Sequence, residues 1–242
     1  MLPGKVDLER FPSRAANAMK LHKTNQGFTL TEFLVAMAVS SIVMTASYST
    51  LHSQQKTYTK QEQIVAMQQE LRAAMYLMER EIKMAGYDPT GWATAEIQTA
   101  TIDTIRITKD ITDNAGTGHS DGDTGDTNED ITYALFDADG DGDTDLGRND
   151  VNGVGNQTIA ENIDALNFVY LDQNGTPTTS LAEIRSVQIT ILARAERADR
   201  GYTNNIMYKN QQGGTLFAPL PGDTYRRKIL AAEVKCRNLG LD

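Results

Sequence analysis

Residues 28–51, which read FTLTEFLVAMAVSSIVMTASYSTL, contain a single charged side chain, Glu32, among 24 positions. As a helix they would extend about 36 Å, which exceeds the hydrocarbon thickness of a bilayer at about 30 Å. A core helix of a soluble protein would carry a polar face, whereas here only small hydroxyl side chains interrupt the run. A signal peptide would end in a small-residue cleavage site, whereas this run continues into polar helical sequence. The stretch therefore predicts a retained membrane helix.

The charge of the chain is unevenly distributed on the two sides of this run. The 242 residues carry a formal charge of −9, yet residues 1–27 hold five basic side chains and two acidic ones. Residues 110–150 hold thirteen acidic side chains and one basic side chain. The basic start predicts a single-pass protein with a cytoplasmic N-terminus and the bulk of the chain outside. Net acidity argues against a nucleic-acid partner, which requires a basic surface to displace counterions from phosphates.

Glu32 lies five residues into the apolar run, where an ionised carboxylate is costly unless it is paired or close to the interface. The order of basic leader, Gly27, Phe28, Glu32 and apolar span resembles the processing site of type IV prepilins and type II secretion pseudopilins. The resemblance implies that a prepilin peptidase cuts after Gly27 and that the new N-terminal Phe28 is N-methylated. It also implies that Glu32 acts in assembly. Such a carboxylate can neutralise the N-terminal amine of a neighbouring subunit in a low-dielectric filament core.

Residues 1–27 are the leader in this interpretation. A leader of 27 residues is long for prepilins, whereas Met19 begins the nine-residue stretch MKLHKTNQG, a basic leader of ordinary length. We therefore expect translation to start at Met19.

Residues 52–86 continue the helical pattern as an amphipathic second half. Seven apolar side chains at successive gaps of three or four form one stripe: Ile64, Met67, Leu71, Met75, Met78, Ile82 and Ala85. This spacing predicts a helix that packs one face on a core, and Gly86 is a natural C-cap. The methionines favour core packing over a binding groove. Residues 72–87, RAAMYLMEREIKMAGY, resemble the helix end of PilW-type minor pilins.

Residues 87–242 are predicted to form a β-rich globular head. Alternating apolar side chains predict five strands: Ile105 and Ile107; Ile131, Tyr133 and Leu135; Leu166, Phe168 and Tyr170; Val187, Ile189 and Ile191; and Tyr225–Val234. Half-buried strands separated by turn residues predict an antiparallel sheet with one covered face. The expected fold class is therefore α+β and type IV pilin-like, with a long N-terminal helix packed on an antiparallel β-sheet head.

Two segments of the head, 159–170 and 225–239, also resemble PilW-type proteins. Cys236 is the sole cysteine, so the paired C-terminal cysteines of many major pilins are absent, which favours a minor subunit. We expect Cys236 to be a small buried residue, with an intersubunit disulfide as the alternative.

An acidic loop is predicted at 109–150, and part of it resembles a calcium-binding sequence. Aspartates occupy alternating positions, with glycine sixth, as in the first half of an EF-hand-type loop: Asp137, Asp139, Asp141, Asp143 and Asp145. The first three would ligate directly, the fourth through its backbone carbonyl, and the fifth directly or through water. Position twelve, where a bidentate glutamate belongs, is Arg148, and the flanks read as strands. We expect a calcium-binding hairpin tip, with a solvated acidic turn as the alternative.

The sequence does not predict an enzyme, and no cofactor other than this calcium is expected. The three histidines are far apart, and no HExxH, CxxC, GxSxG or phosphate-loop spacing occurs.

The expected function is that of a minor pilin, which starts as an inner-membrane precursor and helps to prime assembly of a type IV pilus at the cell surface. The resemblance implies four kinds of partner: prepilin peptidase, other minor and major pilins, the inner-membrane assembly platform, and membrane lipid. One alternative is a minor pseudopilin of a type II secretion system, whose N-terminus is indistinguishable. Another is a membrane-anchored calcium-dependent adhesin or binding module.

Overall fold

The computed structural model describes residues 27–240. The predicted leader and the Met19 start therefore lie outside the described residues. The chain divides into two compact units, at residues 1–53 and 54–242.

Helix α1 spans Leu30–Ile82. The strands are β1 Ile97–Ala100, β2 Ile105–Thr108, β3 Asp130–Phe136, β4 Asp145–Asp150, β5 Gly155–Ala160, β6 Ile163–Leu171, β7 Ser186–Arg194, β8 Tyr208–Lys209, β9 Thr215–Phe217 and β10 Arg227–Lys235, with a short 3₁₀ helix at Leu181–Glu183.

Helix α1 begins at Leu30, two residues after the predicted start. Thr29 and Glu32 form a reciprocal cap. The Glu32 backbone N–H donates to Thr29 Oγ1 at 3.3 Å, and the Thr29 backbone N–H donates to Glu32 Oε2 at 2.9 Å. This capping box satisfies two backbone donors that a helix start leaves unpaired, and it leaves Phe28 outside the helix.

The helix ends at Ile82 rather than at Gly86. After Ile82 the backbone forms turns with hydrogen bonds between residues three apart, such as the bond from the Met84 N–H to the Glu81 carbonyl at 2.9 Å. Gly86 has φ of +78°, and its N–H donates to the Thr108 carbonyl at 3.0 Å. A side chain at Gly86 would meet both the left-handed backbone conformation and the Leu239 side chain. Gly86 is therefore the point at which the chain leaves the helix for the sheets.

The buried face of α1 follows the predicted stripe. Its buried residues are Met67, Leu71, Ala74, Met75, Met78, Glu81 and Ile82. These side chains share one core with apolar residues from β1, β2, β3, β4, β6 and β7. Full burial of each large apolar side chain stabilises the fold by about 1.5–3 kcal/mol, so this stripe holds residues 64–82 against the sheets.

The predicted class, a long helix packed on antiparallel β-structure, is confirmed, and the strands are divided between two main antiparallel sheets. One has the order β1-β2-β3-β4-β5, the second has the order β10-β7-β6, and β8 and β9 form a small third pair. The chain changes sheet after β5 at Asn162, which has φ of +58°. The Asn162 N–H donates to Asp145 Oδ1 at 3.0 Å, and β6 then pairs with β7.

The five strands predicted from alternation are confirmed as β2, β3, β6, β7 and β10. The expectation of one covered face fails at β7, where residues 186–193 are all buried. Polar side chains from the segment before β9 bond to this sheet: Gln211 Nε2 donates to the Ile189 carbonyl at 3.3 Å, and Gln212 Nε2 donates to Gln188 Oε1 at 2.8 Å. Cys236 is buried at 4 % exposure, as expected.

Candidate functional site

The Gly27–Phe28 peptide bond lies outside regular secondary structure, immediately before the helix. Among the described residues beyond its chain neighbours, none has an atom within 4 Å of the position that a Cβ on Gly27 would occupy, and the Phe28 side chain is 86 % exposed. A peptidase could therefore reach this bond without unfolding the helix.

Glu32 lies in the first turn of α1, one turn after Phe28. Both contacts from Thr29, one from its backbone N–H and one from its hydroxyl, reach Oε2 of the carboxylate, each at 2.9 Å. Among the described residues, Oε1 has no hydrogen-bond partner. The carboxylate therefore caps its own helix with one oxygen and keeps the other available to a cation.

The side chains of residues 28–53 are all exposed, although most of them are apolar. Within the described part of the chain, α1 is the helix that is long and apolar enough to cross a membrane. Uncovered apolar surface of this extent requires a lipid or protein environment.

Residues 22–48 match the family model described as the prokaryotic N-terminal methylation motif. A type IV-like pilin from Thermus thermophilus is similar in structure, with a TM-score of 0.44 and 16 % sequence identity, over 72 % of this chain and 98 % of that chain. No curated protein matches this chain with significant similarity.

The matched segment contains Gly27, Phe28 and Glu32 in prepilin order. The segment therefore gives this chain a prepilin-type N-terminus, and it lies at the start of a long helix whose second half packs on antiparallel sheets. The motif implies processing by prepilin peptidase and assembly with other pilins, and the apolar helix indicates membrane anchoring.

The structure brings together three of the five predicted calcium ligands. Exposed Asp137, Asp139 and Asp141 each offer a carboxylate oxygen, and these oxygens lie within 4.8 Å of one another. The Asp143 carboxylate pairs with Arg194, and ligation through the Asp143 backbone carbonyl stays a prediction. Asp145 is 3 % exposed. Its two oxygens accept hydrogen bonds from the N–H groups of Ala138 at 3.2 Å and Asn162 at 3.0 Å.

The reason for this difference lies in the hairpin. Strands β3 and β4 close with Phe136 opposite Asp145, so Asp145 already belongs to a strand. The predicted second half of the calcium loop is therefore β-sheet, and calcium binding by the remaining three aspartates stays a prediction.

A buried charge cluster around Glu81 was not anticipated from the sequence. Glu81 lies on the buried face of α1, at 7 % exposure. Arg148 of β4 approaches it with Nη2 at 2.9 Å from Oε1 and Nε at 3.1 Å from Oε2. The Tyr133 hydroxyl of β3 donates to Oε2, and Lys109 Nζ lies 3.9 Å from Oε1. One carboxylate thus joins the helix to two strands of the five-stranded sheet.

The charges of this cluster depend on one another. Burial alone would raise the pKa of Glu81, but hydrogen bonds from Arg148 and Tyr133 and the charge of Lys109 lower it below its usual value. Burial lowers the pKa of Lys109 in turn, and the Glu81 carboxylate opposes that shift. Loss of Glu81 would leave two buried cations without their nearest carboxylate, with the charge of Asp150 as a weaker compensation.

Arg148 was interpreted as a defect at position twelve of a calcium loop, whereas it is the main partner of Glu81. Two signals in the sequence could have indicated this. Glu81 falls three residues after Met78 and next to Ile82, on the apolar stripe, and Arg148 is the single basic residue in 110–150.

Proposed function

We propose that this protein is a minor pilin of a type IV pilus that takes part in priming and assembly of the filament. The observation that carries the proposal is the uncovered apolar run 28–51, most of it in α1, which follows an exposed Gly27 directly. Such a surface suits lipid before assembly and neighbouring helices afterwards. The lone cysteine favours a minor subunit over a major one.

In this proposal, cleavage after Gly27 exposes a cationic amine on Phe28. Glu32 Oε1 of one subunit accepts the amine of the next, while Oε2 keeps the helix cap. In the low-dielectric core of a filament, the pair of Glu32 carboxylate and Phe28 amine stabilises a correctly placed subunit. A subunit whose position leaves the amine unpaired is disfavoured, because a buried charge without a partner is costly. The basic leader keeps the uncleaved N-terminus on the cytoplasmic side, and the head lies outside.

Gly27→Ala is expected to block processing. Because the added methyl group meets no atom of the described residues beyond its chain neighbours, we expect the fold of residues 27–240 to be unaffected, so that the variant reports on recognition by the peptidase. The measurement is the intact mass of membrane-extracted protein. Ser40→Ala, an exposed change within α1, should be processed normally. A Gly27→Ala chain that begins at Phe28 would contradict the proposed cleavage site.

A minor pseudopilin of a type II secretion system remains the alternative within this class, because its N-terminus would be the same. The genes beside this one discriminate between the two. Other minor pilins and a large tip adhesin favour the pilus, whereas secretion components favour the pseudopilin.

A calcium-dependent adhesin is the alternative from another class, and the three clustered carboxylates at the hairpin tip favour a test of it. Titration of the detergent-solubilised full chain with calcium should give heat at millimolar concentration or below, because three aspartates repel one another without a cation. Asp139→Asn with Asp141→Asn should remove most of this heat, whereas Asp103→Asn, an exposed change elsewhere, should not. Equal heat from both variants would exclude the tip as the binding site.

A further inference from the structure

A cluster of cationic side chains surrounds a surface cavity of about 350 Å³ between α1 and the segment after β7. Its basic lining residues are Lys56, Lys60, Arg197, Arg200 and Arg226. Asp199 is the one carboxylate among the lining residues, and Ile64 and Ala195 add apolar surface. We call this the basic pocket. Its volume lies within the range of small-ligand sites, about 300–1,000 Å³.

Asp199 organises the basic pocket without neutralising it. It is 8 % exposed and pairs with Lys60 at 2.7 Å and with Arg226 at 3.0 Å. The hydrogen bond from Lys60 is the main cause that lowers the pKa of Asp199 to about 2, so the carboxylate stays ionised. Arg226 also lies over the Tyr202 ring, 4.4 Å from its centroid, which fixes the guanidinium.

An excess of positive charge remains at the rim of the basic pocket. Arg197 pairs with Glu196 at 3.3 Å. Lys56 and Arg200 are exposed and make no ion pair with any carboxylate in residues 27–240. Five cations therefore face two carboxylates. Ammonium and guanidinium groups grouped in this way bind phosphate oxygens, the guanidinium in bidentate fashion.

The position of the basic pocket in the chain points to a lipid as the source of that phosphate. Lys56 and Lys60 follow Leu51, the last residue of the apolar run, by five and nine residues. Nine residues reach at most about 32 Å even when fully extended. Anionic headgroups attract basic side chains that lie within about a Debye length of them, and in the proposed orientation these are the headgroups of the leaflet on the side of the head.

We propose that the basic pocket binds the phosphodiester of an anionic phospholipid, such as phosphatidylglycerol, while the precursor resides in the membrane. Arg200 and Lys56 contact the phosphate oxygens, and the Lys60–Asp199–Arg226 group forms the fixed floor. Extraction into a filament then requires release of this lipid. The inference rests on membrane anchoring by the apolar helix, as in the proposed function, but not on entry into a pilus.

Calorimetric titration of the full chain in dodecyl maltoside micelles tests the proposal. The probes are dihexanoyl phosphatidylglycerol, dihexanoyl phosphatidylcholine and inorganic phosphate at equal ionic strength. We expect saturable binding of the phosphatidylglycerol and none of the phosphatidylcholine. Lys56→Gln with Arg200→Gln should weaken binding roughly thirty-fold, since each juxtamembrane cation contributes a factor of about five. Lys209→Gln with Arg237→Gln, which removes the same charges from exposed positions outside the basic pocket, should change affinity less than about twofold.

Equal affinity for the two lipids, or an equal loss in both double variants, would overturn the proposal. Saturation by inorganic phosphate without binding of phosphatidylglycerol would assign the basic pocket to a free anion and overturn the lipid assignment. Tighter binding of a peptide with the sequence of residues 137–145 would assign it to an acidic protein segment, with the same consequence. The titration uses unassembled protein, so a failure to bind lipid would not contradict the predicted processing after Gly27. Failed processing, in turn, would not contradict lipid binding by the basic pocket.

Discussion

Cells that produce the Glu32→Ala chain are expected to synthesise and process the protein at normal levels but to exclude it from pili. In a filament core, the methylated amine of the neighbouring subunit would lose its counterion. An unpaired buried charge costs about 3–5 kcal/mol, which corresponds to more than about a hundredfold in incorporation. The measurement is the ratio of this protein in sheared pili to that in membranes, by quantitative mass spectrometry.

Two further variants separate the charge of Glu32 from its role as a helix cap. Glu32→Gln keeps an oxygen that accepts the Thr29 N–H but removes the charge, so it should be excluded as strongly as Glu32→Ala. Thr29→Val removes the hydroxyl of the cap and keeps the charge. It should cost about 1 kcal/mol of helix stability and should still permit incorporation. Normal incorporation of the Glu32→Gln chain would show that the charge has no part in assembly.

The second large effect is expected at Glu81. Glu81→Ala should destabilise residues 54–240 by about 3–5 kcal/mol, because the Arg148 guanidinium and the Lys109 ammonium would remain buried without the carboxylate that contacts them. Chemical denaturation of the full chain in detergent measures this change. Glu62→Ala on the exposed face of the same helix should stay within about 0.5 kcal/mol of the unmodified protein.

A double-mutant cycle distinguishes the charge cluster from simple packing. Because Arg148 contacts Glu81 directly, the cost of Glu81→Ala with Arg148→Ala should fall short of the sum of the single costs by about 0.5–3 kcal/mol. Additive costs would show that the two side chains stabilise the fold independently.

Low pH should weaken the contact between Glu81 and Arg148. The folded-state pKa of Glu81 is lowered from its usual value of 4.5. The stabilisation is therefore fully present above about pH 4.5 and is lost as the pH falls through the lower, folded-state pKa. Glu81→Gln should reduce this acid-dependent loss relative to the unmodified protein, as measured by denaturation between pH 6 and pH 3.

Periodicity predicted the long helix and the five most apolar strands because those elements bury one regular face. It could not predict β5, whose sequence GNQTIA is polar and largely exposed. The division into two sheets also escaped prediction, because it depends on the backbone conformation of Asn162 and on its bond to Asp145. Strand partners are a tertiary property that local patterns do not encode.

The processing motif, the charge cluster around Glu81 and the proposed calcium loop differ in how far the sequence predicts them. Gly27, Phe28 and Glu32 form a linear motif within six residues, so sequence order alone identifies them. Glu81 and Arg148 are 67 positions apart and meet only when β4 packs against α1. The calcium loop was predicted over nine residues, and the fold uses its last residue for a strand instead.

The N-terminus of the protein recovered from sheared pili tests the central claim most directly. Peptide mass spectrometry should find a chain that begins at Phe28, carries a methyl group on its amine, and is present at far lower abundance than the major subunit. A chain that still retains residues before Phe28, or absence of the protein from pili in which other minor subunits are detected, would contradict the account.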